Sequence, residues 1–415
     1  MEKMKRLFAL LVISIFSYSG LSVYAQSKIV DKFEKWLHTQ PDLREIVRLP
    51  YFQKSLSATE AESIREMLWN YRAEEIKKQY ASSWKLKLFT EDEFRMRFDY
   101  RVFGEKPADG WSLYISMHGG GGAPAALNDQ QWRNQIGLYQ PQEGIYLAPR
   151  APLNTWDLWH QPHIDALFEQ IIKSAVVLKD VNPDRVYITG YSAGGDGTYR
   201  LAPRMADRWA AAAMMAGHPG DVSPLSLRNI GFALWMGADD AAYNRNQVAR
   251  QWEIMLDSLQ KNDPGGYVHD VHIVPGKGHW MDREDRAGIE WMSHFTRNPY
   301  PEKIVWKQDN GVLHGSFYWL SVPDDLLQSG GEIVVTRKGN TVYIEKNYSE
   351  RLTIFLNDEM FDLDKSITVV CNGKNVFKGK VKRNLASLYN SLLQKDDPRY
   401  LFCASITLDD VRTEK

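Results

Sequence analysis

The chain has 415 residues, with 51 Lys and Arg against 52 Asp and Glu for a net charge of −1, and only two cysteines. No basic surplus or cluster marks a nucleic-acid binder. Two cysteines, Cys371 and Cys403, rule out a small disulfide-stapled fold, and the length predicts two or three domains.

Lys3, Lys5 and Arg6 precede an uncharged apolar run over 7–16, and Val23-Tyr24-Ala25 places small residues where a signal peptidase reads them. This pattern predicts a secretory signal peptide over 1–25, cleaved after Ala25. The run is shorter than the ~20 residues of a membrane span, and no later segment reaches that length. The mature protein is therefore expected to be secreted or periplasmic, without stable membrane insertion. Losing three positive charges and Glu2 takes the net charge from −1 to −3. An oxidising compartment is compatible with a Cys371–Cys403 bridge or with two free thiols.

Residues 26–83 read as a helical segment. Ser57 and Thr59 each stand three residues before a glutamate, Glu60 and Glu62, in the spacing of a capping box, and Ile64, Met67, Leu68 and Tyr71 recur at helical intervals. Phe94, Met96, Phe98, Tyr100 and Val102 then alternate with charged residues, the period of a half-buried strand. From 84 to 297, short apolar runs at 113–117, 145–148, 186–189, 210–215, 232–236 and 268–274 alternate with helix-length segments. That is the pattern of βα units in a mostly parallel sheet, whose ligands bind beyond the carboxyl ends of the strands. After the seam Asn298-Pro299-Tyr300-Pro301 the period changes to short strands at 304–307, 316–322, 332–336, 341–345, 352–356, 367–371, 376–381 and 402–408. One helix is predicted over 385–393. Residues 298–415 thus predict an all-β sandwich, and the short, proline-containing seam predicts that it docks on the preceding domain through an apolar interface.

Gly190-Tyr191-Ser192-Ala193-Gly194 follows the strand at 186–189 and opens a helix over 193–205. A Gly-x-Ser-x-Gly match alone is common by chance, but a sharp strand-to-helix turn is what lifts a serine hydroxyl above a sheet. Such a serine needs a base oriented by a third group. His279, after the last strand of the parallel set, is the candidate base; Asp239 and Asp240, after the preceding strand, are the candidate acids. His118-Gly119-Gly120-Gly121-Gly122 directly follows a strand, so the N–H groups of Gly119, Gly120 and Gly121, with that of Ala193, are candidate donors to an oxyanion.

These segments, within about 94–297, resemble the esterase branch of the α/β-hydrolases, including secreted feruloyl and acetyl-xylan esterases and polyhydroxybutyrate depolymerases. The resemblance implies an α/β-hydrolase fold, a serine carboxylesterase with a small-molecule or polysaccharide ester as substrate, and Asp240 as the acid, because Gly-x-x-Asp is the commoner spacing in that superfamily. It does not reach the helical segment or the sandwich. A prolyl-oligopeptidase-like peptidase has the same turn and triad order, but there is no propeller repeat and the catalytic segment is not C-terminal. An inert glycan-binding protein on a hydrolase scaffold would show a broken triad.

Trp156, Trp159, His160, Tyr191, His218 and Trp280 fall on loops at the expected active face and are candidates for a substrate pocket, with packing as the competing reading. His269 and His272, three apart in a strand, point to opposite faces and predict no metal site. Triad chemistry calls for no cofactor. Trp306, Phe317 and Trp319 are expected in the sandwich core rather than on a carbohydrate platform.

Overall fold

A computed structural model describes residues 27–413. At the amino end Ser27 caps α1 (Lys28–His38), and Ser57 and Glu60 form a reciprocal capping box that starts α2 (Ala58–Leu86). The predicted boundary at residue 84 falls inside α2, and the side chain there shows why. Trp84 stacks edge-on against Phe89, Phe98 and Tyr100 and donates its indole N–H to Ser174 Oγ at 2.8 Å, so the helix ends embedded in the next domain.

The central sheet is built from β1 (Leu88–Glu91), β2 (Phe94–Phe103), β3 (Trp111–Met117), β4 (Gly144–Pro149), β5 (Val181–Tyr191), β6 (Ala211–Met215), β7 (Gly231–Gly237) and β8 (His269–Val274). Their spatial order is β1-β2-β4-β3-β5-β6-β7-β8, parallel from β4 onward, with β1 and β2 antiparallel. Strands β3, β4, β6 and β7 and the second half of β5 are buried almost throughout, as expected for a sheet covered on both faces. The covering helices are α3 (Ala125–Ile136), α4 (Pro162–Lys179), α5 (Ala193–Arg204), α6 (Arg245–Asn262) and α7 (Ala287–Met292). This order, with its run of six parallel strands and its loops gathered at their carboxyl ends, is an α/β-hydrolase sheet.

The carboxyl-terminal domain is two sheets. One comprises β10 (Ser316–Phe317), β11 (Leu320–Ser321), β14 (Leu352–Leu356) and β17 (Ala404–Leu408); the other comprises β9 (Lys303–Lys307), β12 (Glu332–Lys338), β13 (Thr341–Asn347), β15 (Ile367–Cys371) and β16 (Lys374–Gly379). The helix α8 (Leu385–Lys395) lies between β16 and β17 in the chain. Trp306, Phe317 and Trp319 are all buried, with Trp306 and Phe317 stacked at 5.6 Å, which makes them core and not a binding platform. Cys371 and Cys403 are separate buried thiols.

The strand predicted over 316–322 is broken in two at Tyr318, whose φ is +52°. Tyr318 turns into the hydrolase domain instead, its backbone N–H donating to Asp207 Oδ2 at 3.2 Å and its hydroxyl to Ala206 O at 3.1 Å. The interface it enters joins apolar residues of both domains in one cluster and adds a set of ion pairs that the sequence reading did not expect. Arg208 and Arg297 converge on Asp397 at 3.1 and 2.9 Å, Lys395 meets Asp207 at 2.5 Å, and Arg204 bridges Asp165 and Asp309. All of these charges except the two that open to partial solvent at the edge are buried, and each has an opposite charge, the condition under which ionised groups leave water. Among the described residues no helix is long and apolar enough to cross a membrane. The predicted leader over 1–25 lies outside the described residues.

Candidate active site

β5 ends at Tyr191 and the chain reverses at Ser192, whose φ of +58° and ψ of −119° are unfavourable for a side chain with a Cβ. The turn is possible only because its neighbours are bare. A Cβ on Gly190 would lie 2.2 Å from Gly194 O, and one on Gly194 would lie 2.1 Å from Met117 O. Ser192 N–H donates to Met215 O at 2.9 Å, and Ser192 O accepts from Asp196 N–H at 2.9 Å, so the turn is held on both sides.

Ser192 Oγ lies 2.9 Å from His279 Nε2, and His279 Nδ1 lies 2.7 Å from Asp240 Oδ2. A carboxylate only accepts, so Nδ1 carries the proton and Nε2 is left free to accept from the serine hydroxyl. Asp240 is buried; Asp239, its neighbour, is exposed and bonds through its backbone, its N–H donating to Lys277 O at 2.8 Å and its carbonyl accepting from Ala241 N–H at 2.9 Å. Arg245 Nη1 stands 3.6 Å from the second oxygen of Asp240. The loop bearing His279 is pinned from beneath by Tyr191, whose hydroxyl donates to His279 O at 2.6 Å and accepts from Met281 N–H at 3.3 Å.

The glycine run is arranged differently from the sequence expectation. His118 is fully buried, and its ring bridges two backbones: Nδ1 donates to Gly119 O at 2.6 Å, while Nε2 accepts from Ala151 N–H at 3.2 Å. That pairing fixes the tautomer. Burial pushes its imidazole down to about 4, so the ring stays neutral. In a trans peptide the N–H lies opposite the C=O, so anchoring Gly119 O aims Gly120 N–H the other way. Gly119 packs directly on Ser192, where a Cβ would come within 3.1 Å of Ser192 Cβ. Gly121 is a correction: its N–H donates to Asn128 Oδ1 at 2.8 Å and so is not available to an oxyanion. Asn128, on α3, was not singled out from the sequence, where it is one polar residue on a polar helix. Ala193 opens α5, and the first N–H groups of a helix have no intrahelical acceptor.

Ser192 and His279 open into a cleft of about 740 Å³ whose walls include Gly119, Gly120, Tyr191, Trp280 and Arg283. Of the predicted pocket residues, Tyr191 and Trp280 line it, their rings 5.6 Å apart. Trp156 lies beside Gly122 and is exposed at the surface. The other three do not line the cleft. Trp159 is fully buried below the glycine run, donating its indole N–H to His118 O at 3.0 Å. His160 faces Arg200 and Arg204, and burial, reinforced by those guanidinium groups, pushes it down to about 4. His218 sits over Asp196, giving its backbone N–H to Asp196 Oδ1 at 2.6 Å. Burial in turn pushes the Asp196 carboxyl up to about 6, against the pull of that bond and of Arg245 and His279. Asp282 and Arg283 follow the histidine with φ of +54° and +67°, two consecutive left-handed residues that cost roughly 1–2 kcal/mol each.

No family model and no curated protein matches the chain. Among solved structures it is similar to a thermostable esterase, with 21% identity and a TM-score of 0.39 over 51% of this chain and 62% of that one. It is also similar to a poly(3-hydroxybutyrate) depolymerase from Bordetella parapertussis, with 13% identity and a TM-score of 0.37 over 51% of this chain and 89% of that one. A ferulic acid esterase aligns at 15% identity and a TM-score of 0.35, over 50% and 96% of the two chains. The chain thus spans less than two thirds of the thermostable esterase. Likenesses this remote carry no functional inference; strand order and the turn at Ser192 are what give this chain the α/β-hydrolase fold.

Proposed function

We propose that this chain is a serine hydrolase that cleaves carboxylic esters through an acyl-enzyme on Ser192. The observation that carries the reading is the unbroken relay from Ser192 Oγ through His279 to buried Asp240, at 2.9 and 2.7 Å. His279 Nε2 takes the hydroxyl proton as Oγ attacks the carbonyl carbon, and Asp240 stabilises the imidazolium that forms. The oxyanion receives the N–H groups of Ala193 and Gly120, with Gly119 supplying the bare backbone against which the substrate closes. Collapse breaks the bond to the alcohol oxygen, which leaves with the proton from His279. Water then gives its proton to His279 and attacks the acyl carbon, releasing the acid and restoring Ser192.

The natural substrate on this reading is an acylated small molecule or polysaccharide met outside the cell. Two features support that extension: the leader-like pattern over 1–25, and the exposed rings of Trp156 and Trp280 near the cleft, which suit stacking on a sugar or phenolic group. Turnover of a short 4-nitrophenyl ester tests the core claim. Ser192→Ala is expected to lose at least ~10³-fold in kcat and to escape labelling by a fluorophosphonate that marks the wild type. Unchanged turnover in that variant refutes the reading.

A further inference from the structure

We infer, resting on the ester-hydrolase reading, that Arg283 makes the cleft selective for esters bearing a carboxylate. Among the described residues, Arg283 is the one permanently charged side chain that lines the cleft, and no Asp or Glu lines it. Around it the walls are neutral amides and apolar groups, such as Gln131, Asn134, Leu127 and Leu138.

Arg283 is kept free of the acids closest to it in sequence. Asp282 and Glu284 both turn to Lys277, at 2.7 and 3.1 Å. Asp285 points inward and is buried, accepting the Tyr139 hydroxyl. Among the described residues no carboxylate stands within 4 Å of the Arg283 guanidinium, which is exposed. The two left-handed residues at 282 and 283 are what place this side chain in the cleft four positions after His279.

Arg283 and Leu138 also line an adjoining recess of about 350 Å³, where two arginines, Arg283 and Arg286, stand against one acid, Glu290. A positive group therefore sits where the cleft continues past the reacting serine. A neutral ester has no use for it. A guanidinium with no ion-pair partner, facing a cleft whose other walls carry no carboxylate, attracts an anion along that cleft and matches a carboxylate with two parallel N–H bonds. The carboxylate belongs either to the acyl part, as in the half-ester of a dicarboxylic acid, or to the alcohol part, as in an acetylated uronic acid.

Two matched pairs separate those sources. Monoethyl adipate is compared with ethyl hexanoate, and an O-acetylated methyl galacturonoside with the corresponding galactoside, all by proton release with the full chain. In one pair the acidic member is expected to show about tenfold higher kcat/KM, mainly through KM, with the preference shrinking at high salt. The acid-to-neutral ratio is expected to fall to about one in Arg283→Met, to be largely kept in Arg283→Lys, and to invert in Arg283→Glu. Equal rates within both pairs, or a preference that survives Arg283→Met, overturn the inference while leaving ester hydrolysis standing. Failure of the wild type on all four esters while it still cleaves the short 4-nitrophenyl ester overturns this inference alone; failure on the 4-nitrophenyl ester as well removes the ester-hydrolase reading, and this inference with it.

Discussion

His118 is the test of how the oxyanion loop is held. Its two ring nitrogens do different work, and two substitutions separate them. His118→Asn places an amide N–H where Nδ1 stands and keeps the bond to Gly119 O, now 2.6 Å, while losing the acceptor for Ala151 N–H, now 3.2 Å away. His118→Gln reaches the Nε2 position and accepts from Ala151 but leaves Gly119 O without its donor. Each change strands one buried backbone group, at a cost of about 1–3 kcal/mol. The stability losses should therefore be similar, but only the glutamine variant frees the Gly119–Gly120 peptide to rotate. Losing the aim of one oxyanion donor costs ~10²–10³ in kcat with little change in KM. The expected result with a short 4-nitrophenyl ester is that His118→Gln falls by about two orders of magnitude in kcat, while His118→Asn stays within about tenfold of wild type. Linkage adds a second readout. Because burial pushes the folded ring down to about 4 from the usual 6.5, its neutral state contributes stability above about pH 6.5 that is lost as pH falls toward 4, about 3 kcal/mol in all. Both variants should lose that part of the acid sensitivity in denaturant melts. Equal kcat values for the two variants, or a loss carried by KM, would refute the anchoring argument.

Two further outcomes follow from the geometry. Asp240→Asn is expected to lower kcat by about 10⁴-fold through loss of the correct imidazole tautomer, and Asp239→Asn to stay within a few-fold; the reverse order would move the triad acid to its exposed neighbour. Asp196 is raised from 3.8 to about 6, so the native state favours its protonated form and loses stability as pH rises through about 6. Asp196→Asn, which still accepts from His218 N–H, should gain up to about 3 kcal/mol over wild type at pH 8 and nothing at pH 4, and a gain independent of pH in urea melts would show that burial of the carboxylate is not its source.

The parts legible in the sequence were those where one backbone requirement dictates residue type. The buried parallel strands read as continuous apolar runs, and Gly190 and Gly194 were visible because no side chain fits against Gly194 O and Met117 O. His279 and the pair Asp239–Asp240 are legible because each follows a strand of the parallel set, whereas preferring Asp240 to its neighbour rests on the resemblance alone. What escaped was set by tertiary contact. β1 is only four residues long, Leu88–Glu91, too short for a period to show. Tyr318 sits inside an apparently regular strand, and only the pull of Asp207 and Ala206 from another domain turns it out of register. Trp159 and His160 have pocket-like chemistry, but whether a loop side chain faces a cleft or the core depends on the loop's path. Asn128 and Arg283 carry no sequence signal, since each is an ordinary surface residue type whose meaning comes from what it faces.

The charged interface between the domains reaches the turn at Ser192 through α5. This helix begins at Ala193, beside the nucleophile, and ends at Arg204, with Asp207 and Arg208 just beyond. Its first N–H is a candidate oxyanion donor, so its axis must stay fixed to a fraction of an ångström. The carboxyl end is where the sandwich takes hold: Asp309 pairs with Arg200 and Arg204, Lys395 with Asp207, and Asp397 with Arg208. Apolar contact would hold the helix against sliding only weakly, because it is indifferent to direction. Buried ion pairs are directional, and breaking one strands a charge at a cost of about 3–5 kcal/mol. A docking surface of this kind adds little net stability over an apolar one of equal size but fixes one geometry. The sandwich thus grips the far end of the helix that begins beside Ser192, and among the described residues none of the sandwich lines the cleft.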